Sequence, residues 1–171
     1  RDLDIAEAFY RDVLGCEVLY LHGGVGRGKT FVMDIFFDSL ATEAKQRLHF
    51  HRFMGRVHSE LAQLKDQADP LEQVAEHFAQ RARVLCFDEF FVSDIGDAML
   101  LGRLLEHLFA RGVTLVATSN VEPKNLYRDG LQRARFLPAI AAIEQHCRVL
   151  ELSSPQDYRL RALSQAPVYH Q

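Results

Sequence analysis

Four short stretches carry residues whose types and spacing could do chemistry. The first is "GGVGRGKT", Gly23 to Thr30, which fits the phosphate-loop pattern G-x-x-x-x-G-K-[ST] with Gly23, Gly28, Lys29 and Thr30. Glycines let a backbone turn tightly and aim successive N–H groups at phosphate oxygens. A helix that follows adds the positive end of its dipole. Lys29 would reach the β- and γ-phosphates, and the Thr30 hydroxyl would ligate magnesium. Gly23, Gly24, Val25, Gly26, Arg27, Gly28, Lys29, Thr30 and Phe31 are therefore the candidate nucleotide-binding residues. The bland alternative, a glycine-rich turn with an incidental Lys-Thr pair, does not explain why an apolar strand pattern precedes it and a helical pattern follows.

The second stretch is "VLCFDEF". It places Asp88 and Glu89 at the C-terminal end of an apolar run, the edge where ligands bind in doubly wound folds. Asp88 could hold the magnesium through its water shell. Glu89 could orient and deprotonate a water for attack on the γ-phosphate. A strand that simply ends in solvated acids is common, but here the acids follow a phosphate loop. The third stretch, "TLVATSN", ends a hydrophobic run in Asn120, a candidate sensor of the γ-phosphate or of the attacking water if its strand lies between the other two. A polar strand exit into a turn would read the same way. The fourth, "GLQRARF", supplies Arg133 and Arg135. Such arginines are usually solvated or loosely paired; the functional alternative is an arginine finger inserted into a neighbouring subunit's site.

Other residues carry less. "LHFHRF" puts His49 and His51 on one face of an expected strand, without a third ligand at a metal-binding spacing, so both read as packing or hydrogen-bonding groups. The stripe Phe31, Ile35, Phe36 and Leu40 reads as core. Phe90 and Phe91, just past the acids, could be core or a partner contact.

The elements that must position these residues form an alternating pattern. Expected strands are Val18–His22, Leu48–His51, Val84–Asp88, Thr114–Ser119 and Cys147–Leu152. Expected helices are Thr30–Leu40, Arg52–Leu64 and Leu71–Gln80, the last with Asp69 as cap and Pro70 in its first turn. A further helix is capped by Ser93 or Asp94 and stopped by Gly112. Strands alternating with helices predict a three-layer α/β sandwich around a five-stranded parallel sheet. At 171 residues the chain suits one domain, and 48% hydrophobic with 25% charged residues is ordinary for a globular protein. A net charge of −3 gives no strong nucleic-acid signal. Three scattered cysteines without a CxxC pair, no signal peptide and no long apolar run lead to the expectation of a cytoplasmic protein.

"GGVGRGKTFVMDIFF", "RLHFHRFMGRVHSEL", "DPLEQVAEHF", "VLCFDEFFVSDIGDAMLLGRLLEHLFARGVTLVATSN" and "YRDGLQRARFLPAI…DYRLR" together resemble the ZapE-like cell-division ATPases. They equally resemble the wider ATPase family that includes the mitochondrial lactation-elevated protein. The likeness runs from about Val18 to Tyr169. It implies an AAA+ core of P-loop NTPase type, with strand order 5-1-4-3-2, over residues 18–152. It implies ATP and Mg2+ as cofactors and ATP hydrolysis, with Lys29 and Thr30 on phosphate and metal. Asp88 and Glu89 become the metal-side and catalytic acids, Asn120 the first sensor, and Arg133, with Arg135 second, the finger. The implied partners are further copies of the chain and a protein client. In the ZapE-like proteins that client is FtsZ, whose polymers are destabilised at the division ring, and membrane association would come only through that ring.

The resemblance also sets further expectations. Family members continue into a helical region that closes over the nucleotide and supplies a second sensor, so residues 153–171 are expected to begin that region, with the lid itself absent. His22 stands where tryptophan is expected, and Gly96 where alanine is expected. Residues 1–17, "RDLDIAEAFYRDVLGCE", form an atypical N-terminal helical segment. It resembles the opening helix of a glyoxalase-type module; the favoured, plainer reading is an amphipathic helix with Ile5, Phe9 and Leu14 buried and Gly15 as stop. No glyoxalase activity follows. A rival reading is a helicase-loader-like nucleotide switch acting on a replication protein or DNA, which should show a steep salt dependence of DNA binding. A second is a phosphotransferase, which would need a pocket for a small-molecule acceptor.

Overall fold

The computed structural model describes residues 19–64 and 67–152. Five strands, β1 (Leu19–His22), β2 (Lys45–His49), β3 (Val84–Asp88), β4 (Thr114–Ser119) and β5 (Arg148–Glu151), form one parallel sheet in the order β2-β3-β4-β1-β5. Read from the other edge, this is the expected 5-1-4-3-2. The helices are α1 (Lys29–Ser39), α2 (Phe50–Gln63), α3 (Pro70–Arg81), α4 (Ile95–Ala110) and α5 (Leu137–His146), with 3-10 turns at Pro123–Asn125 and Arg133–Arg135. The expected segments 1–17 and 153–171, with the proposed burial of Ile5, Phe9 and Leu14, lie outside the described residues.

Side-chain alternation along the strands separates two cores. Leu19, Leu21, Cys86 and Val116 face α1 and meet Met33 and Phe36. Tyr20, Leu85, Phe87, Leu115 and Ala117 face the other way, into a larger core with α2 to α5. Helices therefore cover the sheet on both sides, which is why the central strands read as nearly continuous apolar runs. In α2 the buried residues Phe50, Phe53, Met54 and Val57 follow the i, i+3, i+4, i+7 spacing of one helix face.

The helix starts follow local chemistry. Asp69 accepts a hydrogen bond from the Glu72 amide (3.3 Å) with Pro70 in the first turn, as the sequence suggests. Asp94, not Ser93, caps α4, accepting from Gly96 N and Asp97 N at 2.7 and 3.2 Å. A Cβ at Gly96 would come within 2.9 Å of the capping Asp94 oxygen and 3.5 Å of His58 Cε1. The glycine found there in place of the expected alanine thus leaves the cap, and the 2.6 Å contact between His58 and Asp97, undisturbed.

Three expectations are corrected. The second strand starts earlier and ends earlier than Leu48–His51, and the chain passes directly into α2 at Phe50. His49 therefore ends β2 while His51 lies in the first turn of α2, and their rings stack at 5.7 Å instead of sharing a strand face. The Phe31 stripe is also shifted: Phe31 is 60% exposed, and α1 buries Met33 and Phe36.

Candidate functional site

The glycine-rich segment between β1 and α1 wraps one end of a cleft of about 710 Å³ at the C-terminal edge of the sheet. Gly28, at φ 85°, takes the left-handed conformation that starts α1 with no side-chain cap, so the first amides of the helix stay available to a ligand. Val25 to Thr30 line the cleft, together with Asp88, Glu89, Thr118, Ser119 and Asn120. Gly23, Gly24 and Phe31 do not line it. Gly23 and Gly24 instead act through their carbonyls, which accept hydrogen bonds from Lys29 Nζ at 2.6 and 2.7 Å. Desolvation lowers the Lys29 pKa below its usual value.

β3 delivers the acids. Asp88 ends the strand with its side chain largely covered, and Glu89 turns out of it at φ 54°. A left-handed conformation at a non-glycine residue costs about 1–3 kcal/mol and persists only where neighbours enforce it. Here the neighbours are Phe87 and Phe90, both fully buried on either side of the acids. The Phe90 ring sits 4.2 Å from Phe50 and 5.7 Å from Tyr20. Its amide donates to the Thr118 carbonyl (2.8 Å), and its carbonyl accepts from the Ser119 hydroxyl (2.7 Å). With the chain pinned at Phe90, the Glu89 side chain is thrown into the cleft, 77% exposed, with a carboxylate oxygen 3.8 Å from His49 Nδ1. Phe91, the next residue, is exposed.

β4 lies between β1 and β3, so Asn120, exposed just past its end, stands between the phosphate loop and the acids. Arg133 and Arg135 are not brought to this cleft. Arg133 is half-buried, and its Nη2 donates to the Lys124 carbonyl at 2.7 Å. Arg135 is exposed, and among the described residues its guanidinium has no hydrogen bond or ion pair. The loop before them is held by Tyr127, whose hydroxyl donates to the Leu131 carbonyl (2.9 Å) and whose ring packs edge-on against Phe136. A Cβ at Gly130 would fall 2.2 Å from that ring, so only glycine fits.

Sequence reasoning missed Arg47. It lines the cleft from β2, donates to both Asp88 oxygens (2.7 and 3.2 Å), and pairs with Asp34 of α1. Hydrogen bonding to Asp88 raises its pKa beyond the ordinary arginine value, outweighing desolvation, and Asp34 adds to the rise. No local signal marks such a residue, because its partners lie 13 and 41 positions away.

The donor set fits a hard dication. The Thr30 hydroxyl and the Asp88 carboxylate share the cleft, and both are oxygen donors. Among the described residues no group of three His, Cys, Asp or Glu side chains could hold a metal unaided. A metal here would complete its shell with water and phosphate oxygens, the usual habit of magnesium.

A profile of the AFG1-like ATPases matches residues 6–171. The chain belongs to the AFG1-like ATPase family. The match takes in residues 6–17 as well. Cell division protein ZapE of Escherichia coli K12 is 66% identical over 151 residues, covering 88% of this chain and 40% of that protein. Lactation elevated protein 1 homolog B of Danio rerio is 42% identical over 158 residues, covering 86% of this chain and 31% of that one. The chain thus spans less than half the length of these relatives. Domain III of the Thermotoga maritima replication initiation protein DnaA has the same fold, with TM-score 0.64 at 16% identity, covering 95% of this chain and 65% of that domain. The fold is that of a P-loop AAA+ core. Among the described residues no helix is long and apolar enough to cross a membrane.

Proposed function

We propose that the chain is the ATP-hydrolysing core of a magnesium-dependent ATPase that remodels a protein partner in cell division. The observation that carries this reading is Glu89, forced into a left-handed turn by buried Phe90 and projecting into the cleft that the phosphate loop encloses. A binding protein has no use for a strained, exposed acid at this place, whereas a hydrolase needs a base there.

The described residues 19–64 and 67–152 carry the ATPase core. Lys29 leaves the Gly23 and Gly24 carbonyls to pair with the β- and γ-phosphates, and the α1 amides hold the same oxygens. Thr30 and Asp88 would hold Mg2+, which when bound would supply positive charge against the phosphate oxygens. Glu89 accepts a proton from water as the water oxygen bonds to the γ-phosphorus; the bond to the β,γ-bridging oxygen breaks, and ADP keeps that electron pair. Asn120 orients the water or the γ-phosphate.

The site is completed by a second copy of the chain. Arg135, exposed and without a partner among the described residues, is the better candidate to enter the neighbouring cleft, and Arg133, tied to Lys124, braces the turn that carries it. Exposed Leu131 and Leu137 flank this turn and would pack at the subunit interface. The likeness to ZapE supports a client in cytoplasmic cell division, with FtsZ polymers as the substrate to be destabilised. Steady-state ATP turnover by the full-length protein tests the reading: phosphate release should require Mg2+ and stop on chelation. Tight ATP binding without phosphate release, with or without added FtsZ polymers, would contradict it.

A further inference from the structure

The edge strand β2 meets α1 with charge where apolar packing would be usual. Lys45, Arg47 and His49 alternate onto the α1 side of the sheet, opposite Leu48, which joins the other core. Lys45 Nζ donates to the Phe37 and Leu40 carbonyls at the C-terminal end of α1 (2.7 and 3.0 Å) and lies 4.6 Å from the Phe37 ring centre. One pleat along, Arg47 pairs with Asp34 in the middle of the same helix. Its register partner is Cys86, so the side chain must reach along β3 to meet Asp88, which it grips with Nε and Nη2. Arg47 is only 21% exposed, and Asp88 15%. A two-pronged contact at this depth fixes the plane of a carboxylate, which a lysine could not do.

We propose that Arg47 is a positioning residue for the metal side of the nucleotide site. It divides its guanidinium between Asp34 and Asp88, locks the Asp88 carboxylate to the helix that carries Lys29 and Thr30, and adds a standing positive charge with which Mg2+ must compete. The arrangement has two consequences of opposite sign. Asp88 is oriented, which favours turnover. Its charge is also already half-spent on Arg47, so the metal binds more weakly than Thr30 and an uncompensated Asp88 would allow. Asp34, on the exposed side of α1, decides how much of Arg47 is left for Asp88. The protein therefore needs more Mg2+ than a site with an uncompensated Asp88 would.

The inference rests on the assignment of Thr30 and Asp88 to Mg2+. The test is binding of a fluorescent ATP analogue by the full-length protein, titrated with Mg2+ from a chelated start, for the unsubstituted protein, R47M, D34N and the double variant. A unit charge a few ångströms from a dication, screened as in water, changes its dissociation by about tenfold. R47M should lower the Mg2+ midpoint by about that factor. D34N, at an exposed residue and so safe for folding, should raise the midpoint several-fold, and that rise should vanish in the R47M background. An R47M midpoint within about twofold of the unsubstituted protein, or a D34N effect of full size in the double variant, would overturn the inference. If R47M does not fold, a D34N midpoint that stays put or falls overturns it alone. Analogue binding by the unsubstituted protein that ignores Mg2+ altogether would instead remove the metal site, and the inference with it.

Discussion

Gly23 and Leu152 touch: a Cβ on Gly23 would sit 2.5 Å from the Leu152 carbonyl oxygen, and the Leu152 amide donates to the His22 carbonyl at 2.7 Å. The first glycine of the phosphate loop is thus required by the end of β5 as well as by any phosphate. The same contact joins the entrance of the loop to the residue that follows β5.

Gly23→Ala should accordingly destabilise the fold with or without nucleotide, because the clash is with backbone and cannot be relieved by a rotamer change. Overpacking of this kind costs about 1–3 kcal/mol. Thermal unfolding under chelation, without ATP, should show a drop of several degrees. An unchanged midpoint would show that β5 can yield without cost.

Phe90→Leu separates stability from chemistry. The swap keeps the site apolar and should cost about 1–2 kcal/mol, within the range for reshaping a core position. It removes the ring contacts with Phe50 and Tyr20 that hold the turn at Glu89. Turnover should fall at least tenfold while ATP affinity, measured by titration, holds. Equal losses in both would mean that Phe90 only supports the loop.

Much of this was legible in the chain. β3 and β4 have the predicted limits because their apolar runs are buried on both faces, and α3 starts where Asp69 and Pro70 dictate. β2 was not, because Lys45, Gln46 and Arg47 are partly exposed edge residues whose apolar signal is absent, while "LHFH" alternates as a strand would across the junction with α2. Val25 to Thr30, Asp88, Glu89 and Asn120, which line one cleft, could be picked out by type and position. What could not be read was contact over distance: Arg47 against Asp34 and Asp88, and Leu152 against Gly23. Nor could local spacing tell Arg133, held by Lys124, from unpaired Arg135.

That difference between the arginines gives a third prediction. Arg135→Ala should cut turnover by about 10³-fold or more, as removal of a finger does, with ATP binding retained. Arg133→Ala should cost less. Mixing Arg135→Ala with Lys29→Ala subunits should restore part of the activity, because a mixed interface joins an intact loop to an intact finger. No rescue at any mixing ratio would remove Arg135 from a role between subunits.

The thiols of Cys86 and Cys147 are buried, and desolvation raises each pKa from about 9 to about 12. The folded state therefore keeps both protonated where the unfolded state would ionise them. Their contribution to stability is complete below pH 9 and is lost as pH rises from about 9 to about 12. At pH 8 both should resist iodoacetamide in the native protein and react once denaturant is added. Peptide mapping by mass spectrometry reads each site, and rapid native labelling of either would contradict its burial.

The central claim is that Glu89 activates the water that attacks ATP. Its most direct measurement is single-turnover hydrolysis by the full-length Glu89→Gln protein alongside equilibrium ATP binding. Glutamine keeps the shape of the side chain and removes its ability to take a proton, so hydrolysis should fall by about 10²–10⁴-fold while ATP affinity stays the same or tightens. Glu89→Gln protein that hydrolyses ATP at close to the unsubstituted rate would contradict the account.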